Sequence, residues 1–419
     1  MVAILHFKCK ITGMAITNTT HYLPRTLEPT LSRAAGQFPV VVLTGPRQSG
    51  KTTLLKHLFS RSHAYVSLEP PDVRVAVQAD PRGFLELHPP PVIFDEVQYV
   101  PDLLSYIKEW VDGHRGLAGQ YLLTGSQNLL LLQGVTESLA GRSAVLRLLP
   151  LSFREMLRQP EAPQPWEQTQ SPFHVDLAQL WRLLLRGGFP ELATGPERDI
   201  DLWHSSYIQT YLERDVRNLR QVGDLGQFRI FLRALAARNG QLLRMSSLAR
   251  DLGLAVNTVK AWISVLEASD QIVLLRPYYT NIGKRLVKTP KLYFTDTGTL
   301  CHLVGLKDPE HAAAGPMGGA IFESAVLAEI LKGFLHHGVT PPLYFWRTAA
   351  GVEVDLLIDS GETLLPLEVK TSATPKPAMA RGVRTFLKDL GDRAPRGYVL
   401  HPGHTPLPLG VGVVAVPFP

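Results

Sequence analysis

Two cysteines, Cys9 and Cys301, are all that 419 residues contain. Thiols so few exclude a disulfide framework or a zinc ribbon and fit a reducing cytoplasm. Long hydrophobic runs are missing too. Nothing approaches the roughly 18–20 consecutive apolar residues of a membrane-spanning helix, so no membrane partner is expected. The fourteen histidines show neither HxH nor HExxH spacing, which removes support for a histidine metal site. No serine or cysteine stands in a nucleophile-elbow setting. The opening MVAILHFKCKITGMAITN has a short apolar stretch, but Lys8 and Lys10 break it and no cleavage pattern follows. Residues 1–20 therefore read as a tail, with Met14 as an alternative start. Internal repeats and low-complexity tracts are also lacking, so the length calls for two to four unlike domains.

What is present is unevenly distributed. The formal charge is only +6, yet residues 241–291 hold eight basic side chains against three acidic ones. A local basic footprint suggests a polyanion partner, although a solvated face has the same composition. Residues 21–157 alternate strand-like runs (VVVLT, AYVSL, PVIFDE, QYLLTG, AVLRLLP) with amphipathic helical stretches, the pattern of an α/β parallel sheet. A Pro- and Gln-rich linker opens the next block, 158–240, and apolar residues at helical spacing fill the rest. Residues 241–295 read as a small helical module closed by strands. Residues 296–419 combine the helix AIFESAVLAEILKGFL with strands LYFWR, VEVDLLI, TLLPLEVK, GYVLH and GVVAV.

The stretch GPRQSGKTTLL fits G-x-x-x-x-G-K-[ST] directly after a β-branched strand and before an amphipathic helix. Its glycines let backbone N–H groups converge on phosphate oxygens, with Lys51 reaching the β- and γ-phosphates and the Thr52 hydroxyl holding Mg²⁺. The expected nucleotide-binding residues are Gly45, Pro46, Arg47, Gln48, Ser49, Gly50, Lys51, Thr52 and Thr53, with the following helix aiming its positive end at the phosphates. In PVIFDE the apolar strand ends in two carboxylates. Asp95 is placed to bind Mg²⁺ and Glu96 to polarise the attacking water. In QYLLTGSQN, Ser126 is the candidate polar sensor, with Thr124 and Gln127 as rivals. Arg142, at the end of ESLAGR, is the candidate arginine finger acting on a neighbouring subunit's nucleotide, which implies a homo-oligomer; a local ion pair is the alternative.

GPRQSGKTTLL, VIFDEVQ, LTGSQN, SLAGR, LPLSF, GGFPE and YIQTYLERDVR follow one another in order. Together they resemble a family of prokaryotic AAA-type ATPases that ends in a domain of uncharacterised function. The resemblance covers nearly the whole chain from Tyr22 and implies ATP binding and hydrolysis through Lys51, Thr52, Asp95 and Glu96. GGFPE (187–191) and YLERDVR (211–217) match family motifs without a physical account from sequence. Arg214 and Arg217 are either a second nucleotide sensor or a charged helix face.

The segment 241–279 has the order of a winged helix-turn-helix. One helix ends at Gly253, Asn257 or Thr258 caps the second, and IVLLRPYY and KLYFTD serve as wing strands. If it meets DNA, the second helix enters the major groove while Lys284, Arg285 and Lys288 contact phosphates. In the last block Glu323 lies on a helix, Asp355 in a strand, and Glu368 and Lys370 two apart on the next strand, sharing a face. Carboxylates so placed can hold Mg²⁺ through oxygen, and the lysine can orient a water toward a phosphodiester. The spacing resembles the PD-(D/E)xK restriction-endonuclease-like fold at Glu323, Asp355, Glu368 and Lys370, although Pro366 stands two before Glu368. The expectation is an ATP-driven enzyme that binds or processes DNA. The alternative is an ATP-dependent switch or scaffold whose last domain binds protein or nucleic acid without cleavage.

Overall fold

The computed structural model describes residues 22–125, 135, 137–167, 173, 175–212, 225–279, 289–348 and 350–419. Ser126, Gln127, Arg214, Arg217, Lys284, Arg285, Lys288 and the tail 1–20 lie outside them.

Five of the strands, β1 (Val40–Thr44), β2 (Ala64–Ser67), β3 (Val92–Asp95), β4 (Tyr121–Thr124) and β5 (Ser143–Arg147), form one all-parallel sheet. Their order is β2-β3-β4-β1-β5. Strands that run parallel need crossover connections, and the helix Lys51–Phe59 lies on the one from β1 to β2 and Leu103–Gly113 on the one from β3 to β4. Every residue of β1 is buried, because both faces of the sheet are covered. Val40 and Val42 pack with Phe94, Ile107 and Leu123. Val41 and Leu43 pack on the other side with Leu27, Leu54 and Leu55. One consequence of the order positions the site: β4 lies between β1, which feeds the Gly45–Lys51 loop, and β3, which ends in Asp95. The C-terminal end of β4 thus falls between loop and carboxylate.

The second sheet has the order β12-β13-β11-β10-β9-β8-β6-β7. Its strands are β6 (Ile272–Pro277), β7 (Lys291–Phe294), β8 (Leu343–Arg347), β9 (Glu353–Asp359), β10 (Leu364–Val369), β11 (Gly397–His401), β12 (Leu407–Pro408) and β13 (Val413–Pro417). Strands β8, β9 and β10 run antiparallel, while β10, β11 and β13 are parallel. The long helix Gly318–His336 covers one face, packing Ile321, Phe322 and Ala325 with Leu356, Ile358 and Leu367. The helix Arg381–Leu390 covers the other, with Phe386 against Leu357 and Leu364. The strands expected as a wing, β6 and β7, pair with each other, and β6 also pairs in parallel with β8. They are therefore continuous with the C-terminal sheet. No helix among the described residues is long and apolar enough to cross a membrane.

One expected detail is corrected. Neither Asn257 nor Thr258 caps the second helix of the basic module, which spans Val256–Ala268 with Ala255 at its cap position. The preceding helix Met245–Leu252 ends in Gly253 at φ 64°, and Leu254 N donates back to Ala249 O at 2.9 Å. That tight stop lets the chain restart at once, so Val259 N already bonds Ala255 O at 3.2 Å.

Candidate functional site

The glycine-rich loop is shaped by positive φ at Gly45 (141°), Gln48 (60°) and Gly50 (96°). A Cβ at Gly45 would lie 2.1 Å from Leu148 O, so no other residue fits there. Gly50 is the cap of helix Lys51–Phe59, which begins directly at the end of the loop and has no side-chain cap. Lys51 lies buried across the hollow, donating from Nζ to Gly45 O (3.0 Å) and Pro46 O (2.8 Å).

Asp95 collects hydroxyl donors. Thr52 Oγ1 lies 3.1 and 2.9 Å from its two oxygens, Tyr65 OH donates at 2.7 Å, and Thr124 Oγ1 donates to Oδ1. Burial, then the bond to Asp95, pushes the Tyr65 phenol far above its ordinary value, so it stays a donor. The donor set fits Mg²⁺: a hydroxyl and a carboxylate, both oxygen, meet beside the phosphate loop. Glu96 has left-handed backbone (φ 59°, ψ 46°) immediately after the strand. Its N–H donates to Thr124 Oγ1 at 3.4 Å and its carboxylate accepts from Gln98 Nε2. Among the described residues the hydroxyl that bridges the acidic pair is Thr124, one of the two rivals to Ser126; Ser126 and Gln127 lie outside those residues. Tyr65 and Gln98 were not anticipated. Tyr65 lies on β2, remote in sequence, and its parallel pairing with Ile93 brings it near only once the sheet forms.

Arg142 stands apart. Its Nε and Nη2 bond both oxygens of Asp112, at 2.7 and 3.0 Å. The next residue, Ser143, pairs with Val40 at the start of β1, so Arg142 sits at the end of the sheet opposite the loop. Five strand residues separate those ends, about 16 Å. Arg142 does not reach its own chain's loop.

GGFPE gains a physical account. Gly187 has φ 78° and a Cβ there would meet the Asp296 carboxylate at 2.7 Å. Gly188 N donates to Asp296 Oδ1 at 2.7 Å, and Leu151 N donates to Gly188 O at 2.7 Å. Phe189 is buried against Trp203 and Tyr207. Pro190 opens a short helix with its Cγ 3.6 Å from where a Gly50 Cβ would stand. The motif is a two-glycine turn pressed between the phosphate loop and Asp296.

In the second sheet, Leu367 pairs with Leu356, which sets Glu368 across from Asp355. Asp355 Oδ2 accepts from Val369 N at 2.9 Å and Glu368 Oε1 from Lys370 Nζ at 2.6 Å. Glu368 Oε2 is buried without a hydrogen-bond partner. Burial, then the Asp355 charge, lifts the Glu368 carboxyl to about 8. Glu323 is engaged differently. It accepts from Lys291 Nζ at 3.2 Å and from Tyr293 OH, and burial followed by Asp355 raises it to about 7. Lys291, 4% exposed, also pairs with Glu353 and lies 3.9 Å from Asp355. Burial lowers and the surrounding carboxylates raise its proton affinity, and the carboxylates prevail. The sequence reading missed Lys291, Tyr293 and Glu353 here; the alternation Glu353-Val354-Asp355 was the available signal for the last. Among the described residues no three His, Cys, Asp or Glu side chains stand ready to hold a metal ion. Asp355 and Glu368, with the orphaned Oε2, fit a divalent cation; Glu323 is already satisfied by an ammonium and a phenol.

Residues 37–157 match the AAA domain family, 177–310 the Domain of unknown function (DUF8612) and 318–419 the Domain of unknown function (DUF4143). Uncharacterized protein Rv2008c of Mycobacterium tuberculosis is 33% identical over 389 residues, 92% of this chain and 82% of that protein. Uncharacterized protein MJ1544 of Methanocaldococcus jannaschii is 22% identical over 374 residues, 84% of this chain and 79% of its own. Among solved structures, the Walker-type ATPase PABY2304 of Pyrococcus abyssi superimposes with a TM-score of 0.44 at 16% identity. The superposition covers 68% of this chain and 99% of that one.

Proposed function

The chain belongs to the family of the mycobacterial protein Rv2008c, and with an AAA domain at residues 37–157 as premise, we propose that it binds ATP with Mg²⁺ and hydrolyses it. The observation that carries this is the meeting of Thr52, Asp95 and Thr124 beside the Lys51 loop. Bound metal supplies positive charge at the β- and γ-phosphate oxygens. Lys51 exchanges its two loop carbonyls for those oxygens, Thr52 and Asp95 hold the metal, and Thr124 fixes the Asp95 carboxylate. Glu96 takes the proton of the attacking water. Arg142 acts on a neighbouring copy's nucleotide; its place at the far end of the sheet supports a role in trans within a homo-oligomer.

One mixing experiment tests loop and oligomer together. Lys51→Ala is expected to lose ATP binding and Arg142→Ala to keep binding but lose turnover. Mixing the two inactive proteins restores phosphate release, since each supplies what the other lacks. Binding of ATP to Lys51→Ala would refute the loop assignment, and no recovery on mixing would refute action in trans.

The energy is coupled to DNA, in this reading, through a helical lid at 158–240, a winged-helix module at 241–295 and a nuclease-like domain at 296–419. Support comes from the exposed Arg244, Arg250, Asn257 and Lys260 around the second helix of the module, and from the Asp355–Glu368 pair beside Lys370. A specific observation favours a second reading, a switch or scaffold that binds without cutting: Lys291 already neutralises Glu323 and Glu353. Plasmid nicking with Mg²⁺ or Mn²⁺ separates them. Nicking that Asp355→Ala abolishes supports the nuclease; salt-sensitive duplex binding without nicking supports the scaffold.

A further inference from the structure

The phosphate loop is braced from behind by a residue twenty positions before it. Arg25, 4% exposed, donates from Nη1 to Ser49 O at 2.9 Å and from Nη2 to Leu149 O at 2.6 Å. Its Nε stands 3.2 Å from Glu155 Oε1. Glu155 is fully buried and accepts from Thr26 N (2.9 Å) and Ser152 N (2.8 Å), so it needs the guanidinium as its charge partner. On its other side is His336, the last residue of the long helix, with Nδ1 3.2 Å from the same Oε1. Leu149 N lies 3.2 Å from His336 Nε2. A backbone N–H can only donate, so Nε2 is the bare nitrogen and Nδ1 carries the hydrogen; Nδ1 stays close to Glu155 without a hydrogen bond to it.

His336 does not act alone. Glu329, Lys332 and His336 recur at helical spacing on one face of the long helix, and each bonds the chain segment Leu149–Arg154. Glu329 accepts from Phe153 N at 2.7 Å, and Lys332 donates to Leu151 O at 2.9 Å. The same segment therefore touches the phosphate loop through Arg25 and the long helix through three side chains. Another turn of that helix carries Glu323, which faces Lys291 in the C-terminal cluster.

We propose that Arg25 is a positioning residue for the phosphate loop and that, through Glu155 and His336, it passes the occupancy of that loop to the helix Gly318–His336. This rests on the ATP reading above. Phosphates that draw the loop N–H groups inward also reset Ser49 O, which alternates with those groups along the backbone. Arg25 holds Ser49 O and Leu149 O on one rigid fork, so the two carbonyls cannot shift independently. Arg25 Nε and His336 Nδ1 have no hydrogen-bond partner and flank Glu155 Oε1 as charge contacts, each at 3.2 Å, so a shift of the guanidinium unbalances the carboxylate between them and the displacement is followed by Glu155 and the helix end. A lysine at position 25 keeps the charge opposite Glu155 but lacks the fork.

The test follows amide hydrogen exchange of residues 318–336 in the full chain, with and without Mg²⁺ and a non-hydrolysable ATP analogue, beside the analogue's affinity. In the unsubstituted chain the analogue binds and exchange over this helix slows. Arg25→Lys binds roughly tenfold more weakly, the loss of one charge-assisted hydrogen bond, and at saturation shows no slowing. His336→Gln, remote from the loop, binds within about twofold of the unsubstituted chain and also shows no slowing. Slowing retained in both saturated variants overturns the inference, as does a bound analogue that leaves the unsubstituted helix unchanged. In either case the ATP reading stands. Failure of the unsubstituted chain to bind the analogue removes that reading and the inference with it.

Discussion

Replacing Glu96 by glutamine is expected to leave ATP affinity unchanged and to lower kcat by about 10²–10⁴-fold, the usual worth of a general base. The substitution is nearly isosteric and isolates proton transfer from architecture. Glu96 sits at φ 59° and ψ 46°, backbone that glutamine adopts no less readily than glutamate. Its amide oxygen still accepts from Gln98 Nε2, as the carboxylate does. The Thr124 hydroxyl continues to receive the residue-96 N–H and to hold Asp95. With these contacts kept, the capacity to take a proton from water is what the substitution removes. Phosphate release under saturating ATP, measured with the analogue's affinity, gives the split. An unchanged kcat would move the base elsewhere, and a parallel loss of affinity would mean that Glu96 shapes the metal site instead.

The loop and the acidic pair were legible because both are local signals. A fixed glycine spacing after a β-branched strand, and two carboxylates ending an apolar run, need no tertiary contact to be recognised. Tyr65 and Thr124 gain meaning only from strand order, which puts β4 between β1 and β3. GGFPE was opaque for a related reason: its glycines answer to Leu151 O and the Asp296 carboxylate, the latter more than a hundred residues away. In the C-terminal region the helix Gly318–His336 and the strands β8, β9, β10, β11 and β13 were readable from the sequence, while the two-residue β12 and the helix Arg381–Leu390 were not. The cation of the cluster was not, because Lys291 enters from β7, a strand that the sequence reading assigned to a different module. Arg25 falls in the same class. An arginine before a phosphate loop carries no pattern, and its role exists only where the chain folds Leu149 and Glu155 behind it.

Lys291→Met carries the largest expected effect on stability, a loss of roughly 3–5 kcal/mol at pH 8, typical of removing one partner from a buried ion pair. Methionine replaces the volume of the aliphatic stem but leaves Glu323, Glu353 and Asp355 without their shared ammonium. The pH dependence fixes the mechanism. The folded-state carboxyl of Glu323 is raised to about 7 by burial first and by Asp355 second. A raised carboxyl favours the fold fully below the ordinary carboxylate range and loses that contribution as pH climbs through its folded value. Removing the nearby cation raises it further, so the deficit of the variant should be smaller at pH 5, where Glu323 holds its proton, and largest at pH 8. Denaturant unfolding at both pH values in EDTA measures this directly. A second substitution, Glu323→Gln, should return part of the loss at pH 8, because the amide still accepts from Tyr293 OH and bears no charge. A deficit of equal size at both pH values would show that Lys291 stabilises by packing alone, and the carboxylates would then be free to take a divalent cation without displacing a counter-charge.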